Sequence, residues 1–164
     1  MTKSKIKVGV VQATPALFDL KGSVEKTITW IEKAAATGCE LVLFPESFIP
    51  CYPRGITYDA RVGKRTEESR NQWLEYWSNS LEIDSPETRK LSAAIKKAGI
   101  FVALGITEKE PIGGALYCTL LYFDTNGEVV GKHRKLKPTG LERYLWAEGD
   151  GSTLTTLNTD HGRI

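Results

Sequence analysis

The sequence has no CxxC pair, no long apolar run, no surplus of either charge and no internal repeat or low-complexity segment. Each absence excludes something. Cys39, Cys51 and Cys118 are odd in number and widely spaced, and neither His133 nor His161 stands at metal-ligand spacing from them. A disulfide framework and a zinc site are therefore not expected, and a reduced, cytoplasmic protein is. The apolar stretch Ile6–Val11 follows Lys3 and Lys5 and is broken by Lys7, too short for a signal segment. Nothing approaches the length of a membrane span. Lys and Arg number 22 against 20 Asp and Glu, a net charge of +2, which exerts no global pull on nucleic acid or membrane. What is present suits one soluble domain: 164 residues, 41% hydrophobic and 26% charged.

Read for periodicity, the chain alternates strands and helices. Ile6–Ala13 is nearly all apolar, as in a strand buried on both faces. Ser23 is the expected cap of a helix carrying Val24, Ile28, Ile31 and Ala35 inward and ending at Gly38. Glu40–Phe44 reads as a parallel strand stopped by Pro45, and residues 46–64 as a long loop. A helix follows over Glu67–Ser80, with Trp73 and Trp77 on one face. Another starts at Ser85-Pro86 and ends at Gly99. Ile100–Thr107 and Ala115–Asp124 are strands, and Thr125-Asn126-Gly127 turns into a strand over Glu128–Lys132. His133–Gly151 reads as loop and Ser152–Asn158 as a last strand. The segment from Asp160 to Ile164 looks like the entrance to a further strand, so a longer protein is expected. The order β-α-β-α-α-β-β-β indicates an α/β layered fold.

Three constellations can carry chemistry. Glu46 stands at the carboxyl end of an apolar strand, where sites form in α/β sheets, between Phe44 and Phe48, which would partly desolvate it as a general base requires. It is equally an ordinary surface carboxylate. Five of the six residues Lys132–Lys137 are Lys, Arg or His. They form a solvated basic run or a phosphate-binding patch, unless one lysine turns inward to stabilise a developing anion. Glu142 beside Arg143 is either a surface pair or a carboxylate that orients a lysine or water, and Tyr144 and Trp146 either wall a pocket or pack beneath the loop.

Taken together, FPESF (44–48), HRKLKPT (133–139) and LERxxWxxGDG (141–151), in this order, resemble the nitrilase superfamily of carbon–nitrogen hydrolases, most of all its nitrilase and cyanide-hydrolysing branch. The similarity runs from VGVVQATP to the last residue. It implies the N-terminal half of a four-layer α-β-β-α sandwich, with residues 1–164 forming one incomplete domain. It also implies a Glu-Lys-Cys triad in which Glu46 is the general base, Lys135 the catalytic lysine and Glu142 a supporting carboxylate. Tyr52 and Pro53, in PCYP, match a loop near the substrate pocket, with Trp146 as a further wall, while His133 and Arg134 match flanking positions of structural role.

The family's cysteine follows a glycine-bearing strand entrance like Gly162-Arg163-Ile164, so the nucleophile is expected beyond Ile164 and these 164 residues alone are expected to be inactive. Cys39 and Cys118 read as small core residues, and Cys51, in the loop, is the one candidate substitute. The resemblance implies nitrile hydrolysis to an acid and ammonia through a thioimidate and a thioester, without metal or organic cofactor, by a dimeric or spiral homo-oligomer. Two alternatives stand beside it: an amidase or carbamoylase of the same superfamily, and a non-catalytic binding or assembly module that retains the fold.

Overall fold

In the computed structural model, residues 5–64, 66–159 and 162–164 are described. Lys3, Asp160 and His161 lie outside them. Five strands form one sheet in the order β1-β2-β3-β4-β5: β1 Val8–Val10, β2 Leu41–Leu43, β3 Phe101–Lys109, β4 Leu116–Phe123 and β5 Val129–Arg134. The first three are parallel and the last three antiparallel. Helix α1 (Leu20–Ala36) crosses from β1 to β2; α2 (Glu67–Ser78) and α3 (Pro86–Ala98) lie between β2 and β3. A short hairpin, β6 Asn158–Thr159 and β7 Gly162–Arg163, closes the chain.

Strand alternation gives the sheet two unlike faces. Val42, Val102, Leu104, Ile106, Leu121 and Phe123 point one way and share a buried cluster with Val24 and Ile31 of α1 and Leu91 and Ile95 of α3. Each such side chain taken fully out of water stabilises the fold by about 1.5–3 kcal/mol. The register puts Val8, Val10, Leu43, Ala103, Gly105, Leu120 and His133 on the other face. Helices α1 and α3 leave that face bare at its β1–β2 side, where Val8, Val10 and Leu43 are 46%, 73% and 38% exposed, while α2 reaches only its far end, with Tyr76 beside Leu116 and Cys118. The first strand is thus not buried on both faces as its composition suggested. It is an edge strand of three residues, covered by helix on one side.

The helix ends follow local chemistry. Asp19, not Ser23, caps α1: its carboxylate accepts the Gly22 amide at 2.9 Å, at the helix end where a negative charge is favoured. Ser23 lies inside the helix, buried, and its hydroxyl donates to the Ala16 carbonyl at 2.8 Å. Helix α3 starts and stops where Ser85-Pro86 and Gly99 indicate, with Ser85 Oγ accepting the Thr88 amide and Gly99 at φ 66°. Trp73 and Trp77 of α2 stack with centroids 6.3 Å apart. At the β4–β5 turn Asp124 Oδ1 accepts the amides of Asn126 and Glu128, both at 2.9 Å, around Gly127 at φ 77°.

Two stretches differ from the expected outline. Strand β5 continues through His133 and Arg134, and 3-10 turns occupy Gly140–Tyr144 and Gly151–Thr153. Ser152–Asn158 is not a strand; pairing begins only at Asn158, against Arg163.

Candidate active site

The carboxyl ends of β2 and β5 meet beside the uncovered face. After β2 the chain must turn sharply, and Ser47 does so at φ 48°, held by its hydroxyl against Thr107 Oγ1 at 2.6 Å. Thr107 Oγ1 also lies 2.6 Å from the buried Tyr76 hydroxyl. The backbone is pinned further by Ile49 N to Gly105 O at 3.3 Å and Thr107 N to Ile49 O at 2.7 Å. Gly105 is what lets this segment lie so close: a Cβ there would sit 2.0 Å from the Pro45 carbonyl oxygen and 2.9 Å from the Glu46 Cα. Phe44 and Phe48 both turn into the core, their rings 5.2 Å apart. Glu46 between them points outward and its side chain is 48% exposed. The desolvation expected from the two phenylalanines is therefore absent; what surrounds the carboxylate is a set of polar donors.

Lys135 is the first residue past β5. Its amide donates to the Cys118 carbonyl at 2.8 Å and its own carbonyl accepts Gly149 N at 3.0 Å. Its ammonium lies 2.8 Å from Glu46 Oε1 and 2.8 Å from Glu142 Oε2. Glu142 is carried on the 3-10 turn, is only 10% exposed, and also accepts the Thr139 amide at 2.6 Å and the Tyr52 phenol at 2.7 Å. Burial alone would raise the Glu142 carboxyl, but Lys135, the Thr139 amide and Tyr52 outweigh it and hold it below the usual carboxylate range. Desolvation would lower Lys135; the two carboxylates outweigh that and push its ammonium well above the ordinary lysine value. Tyr52 is pushed up to about 12, chiefly because its hydroxyl is committed to Glu142. At neutral pH the lysine is a fixed cation and the phenol a fixed donor.

A cavity of about 520 Å³ opens against this cluster, lined by Leu43, Phe44, Glu46, Gly105, Cys118, Thr119, Leu120, His133, Lys135 and Leu136. A second, of about 240 Å³, lies on the Glu142 side between Tyr52–Tyr58 and Leu141–Leu145. Tyr52 and Pro53 line the second space, and Trp146 lines neither. The Trp146 ring is buried, edge-on to Tyr52 at 5.6 Å, with the Lys135 ammonium 5.8 Å from its centroid. It forms the floor under the lysine.

The other lysines of the run and its arginine are spoken for. Lys132 and Arg134 reach the buried Glu108 at 2.5 and 2.7 Å, Thr119 Oγ1 donates to the same carboxylate at 2.8 Å, and Lys137 pairs with Glu148. Glu108 escaped the sequence reading; a lone acidic residue at the end of an apolar strand, opposite an alternating basic run, is the signal that points to it. Among the described residues no group of three or more His, Cys, Asp and Glu side chains is placed to hold a metal.

Cys118 is buried as expected, yet its sulfur is not lost in the core. The thiol donates to Glu46 Oε1 at 3.4 Å. Burial, reinforced by the charge and hydrogen bond of Glu46, raises it far above an ordinary thiol. Cys51 Sγ faces the Tyr52 carbonyl at 3.4 Å, and burial raises it too. Neither sulfur is poised as a thiolate.

The chain is similar to known proteins over nearly its whole length. The family model described as carbon-nitrogen hydrolase matches residues 7–164. An aliphatic nitrilase of Sinorhizobium fredii (strain HH103) is 43% identical over 161 residues, which are 98% of this chain and 51% of that protein. Nitrilase 1 of Arabidopsis thaliana is 40% identical over 159 residues, 97% of this chain and 45% of that one. Among solved structures, Nit3 of Saccharomyces cerevisiae, described as a member of branch 10 of the nitrilase superfamily, superposes with a TM-score of 0.70 at 25% identity, covering 96% of this chain and 53% of that one. An amidase from Nesterenkonia sp. gives 0.68 at 17% identity, over 96% and 53%, a likeness of fold. The chain spans about half the length of the curated relatives it matches.

Proposed function

This chain belongs to the carbon–nitrogen hydrolase family, and on that premise we propose that it is the N-terminal part of a nitrilase, supplying the base and the lysine for a cysteine carried beyond Ile164. The observation that carries the reading is Lys135 Nζ held 2.8 Å from both Glu46 Oε1 and Glu142 Oε2 at the wall of a largely apolar cavity.

A nitrile carbon is a weak electrophile and needs a thiolate. Glu46 takes the thiol proton; the sulfur adds to the carbon, and charge develops on nitrogen beside the Lys135 ammonium. The protonated Glu46 carboxyl returns that proton to the nitrogen, which gives the thioimidate and leaves Glu46 ionised again. Water, deprotonated by Glu46, adds to it, and the tetrahedral carbon expels ammonia to leave a thioester. A second water releases the acid and restores the thiol. Glu142 keeps Lys135 charged and aimed. Tyr52 and Pro53 bound the space on the Glu142 side and Trp146 supports it from below. The substrate is a small nitrile, and no metal or organic cofactor takes part. The uncovered sheet face runs under this cavity, so a second sheet from the rest of the protein would exclude water from the site and complete a four-layer sandwich. The 164 residues by themselves are inactive on this reading.

Relatives named as nitrilases at about 40% identity favour nitrile over amide chemistry. The same three side chains would equally serve an amidase or carbamoylase, and ammonia release from matched nitrile and amide decides between them. A non-catalytic module has no chemical need of Glu46, Lys135 and Glu142 in one cluster. The basic run does not make a nucleic-acid patch, since each of its lysines and its arginine is paired with a carboxylate. Three free cysteines suit a reducing cytoplasm, and assembly into a dimer or spiral homo-oligomer belongs to the same proposal.

The test is Lys135→Ala in the complete enzyme. Ammonia release from nitrile should fall by at least about 10²-fold, the loss of a fixed charge at a developing anion. Turnover within twofold of the parent would remove the lysine from the chemistry and the reading with it.

A further inference from the structure

We infer that Cys118 is a positioning residue for the base: one residue of β4 holds both members of the Glu46–Lys135 pair, the carboxylate through its thiol and the lysine through its carbonyl. This rests on the reading of Glu46 as general base.

The juxtaposition is specific. Cys118 Sγ donates to Glu46 Oε1 at 3.4 Å, and the Cys118 carbonyl accepts the Lys135 amide at 2.8 Å. The Lys135 ammonium returns to the same Oε1 at 2.8 Å. A closed ring of contacts therefore runs from β4 to the end of β5, across the ion pair, and back to β4. Both donors converge on Oε1, and Oε2 has no hydrogen-bond partner among the described residues. Fixing one oxygen from two directions aims the other at whatever proton is to be removed. Strand alternation dictates which side chain can do this. Leu116, Cys118 and Leu120 share a face, and of these only Cys118 carries a donor. The other polar groups near the carboxylate come from separate elements: Glu142 on the 3-10 turn, Tyr52 on the loop after β2, and His133, which lines the same cavity from β5. The thiol is a durable donor, because its burial and the neighbouring carboxylate keep it protonated.

A cysteine that merely filled space would tolerate valine, which has similar volume and no donor. A positioning cysteine would not. The experiment compares Cys118→Val, Cys118→Ser and Glu46→Gln in the complete enzyme, assaying ammonia from a nitrile and solving the crystal structure of each Cys118 variant. Cys118→Val should lower kcat about tenfold with KM within twofold, since a lost hydrogen bond to a charged group acts on the reacting geometry rather than on binding. Cys118→Ser, which keeps a donor, should recover most of that loss. In the Cys118→Val crystal structure Glu46 Oε1 should leave hydrogen-bond distance of Lys135 Nζ, and in Cys118→Ser it should stay. Unchanged kcat in Cys118→Val, a rise in KM at constant kcat, or a carboxylate that does not move would each overturn the inference. Full activity in Glu46→Gln would instead strike the reading beneath it, and the two crystal structures would still decide whether Cys118 places the carboxylate.

Discussion

One run of basic residues feeds two carboxylate clusters that differ in almost every respect. Along β5 and just past it, Lys132 and Arg134 point to the helix-covered side and close on Glu108; His133 and Lys135 point to the uncovered side, where Lys135 meets Glu46 and Glu142. Glu108 is 3% exposed and saturated: Oε1 takes Lys132 and Arg134 Nη2, Oε2 takes Thr119 and Arg134 Nε. Glu46 is half exposed, and among the described residues only one of its oxygens is engaged. A charge with every lone pair answered is fixed in place and has nothing left to offer a reactant. A charge with an open oxygen beside a cavity does. The period-two alternation of a strand thus separates a structural ion cluster from the proposed reactive one within four residues.

That contrast breaks first at Glu108. Glu108→Ala should destabilise the folded protein by about 3 kcal/mol, the lower end for a broken buried pair because Lys132 and Arg134 keep partial access to water. Urea unfolding would show it, and a midpoint unchanged from the parent would mean that the cluster does not hold β3 to β5. The pH dependence follows in sign. Burial alone would raise the Glu108 carboxyl, but Arg134, Lys132 and Thr119 outweigh it and lower it in the folded state. Its contribution is therefore complete above the unfolded carboxylate value of about 4.3 and disappears as pH falls through the lower folded value. Stability of the parent should drop more steeply on acidification than that of Glu108→Ala, and parallel acid limbs would contradict this.

The next effect falls on the reactive side. Gly105→Ala would force a methyl group against the Pro45 carbonyl, and the backbone that carries Glu46 must shift. The expected cost is about 1–3 kcal/mol of stability, with activity lost in larger proportion than stability, because the displaced group is the proposed base. A variant that loses stability but keeps its turnover would show that Glu46 is held from the Cys118 side alone.

The sequence made some of this legible. Ser85-Pro86 and Gly99 delimit α3 because caps are local chemistry, and Asn126-Gly127 marks its turn for the same reason. Glu46, Lys135 and Glu142 were found through motif resemblance; their convergence from three distant segments is a property of the sheet. What failed were readings that depend on neighbours. Composition made the first strand look buried twice, but whether an apolar face is covered depends on what packs against it. Ser23 looked like a helix cap, yet Asp19 reaches the free amide first. His133 and Arg134 were read as loop, and Glu108, 26 residues before Arg134, helps to hold Arg134 inside the strand. Cys118 was read as a small core residue and is one; that its thiol also reaches Glu46 depends on the side of β4 it faces, which is set by register with β3 and β5.

The smallest expected effect sharpens the comparison most, since it asks whether the reactive cluster has a redundant member. Tyr52 was expected at the substrate; it lines the second cavity, and its hydroxyl donates to Glu142 Oε1 at 2.7 Å. Tyr52→Phe removes that bond and keeps the ring, so the edge-on packing against Trp146 survives. Glu142 would retain Lys135 and the Thr139 amide, both on its other oxygen, Oε2. With two of three donors left, the carboxylate should stay ionised and Lys135 charged, and kcat should fall only about threefold, less than a full hydrogen bond to a charged group would cost. Stability should be nearly unchanged. A loss as large as that of Lys135→Ala would mean that the Tyr52 hydroxyl meets the reactants directly. Its bond to Glu142 would then be the resting arrangement of a group that turns when substrate arrives.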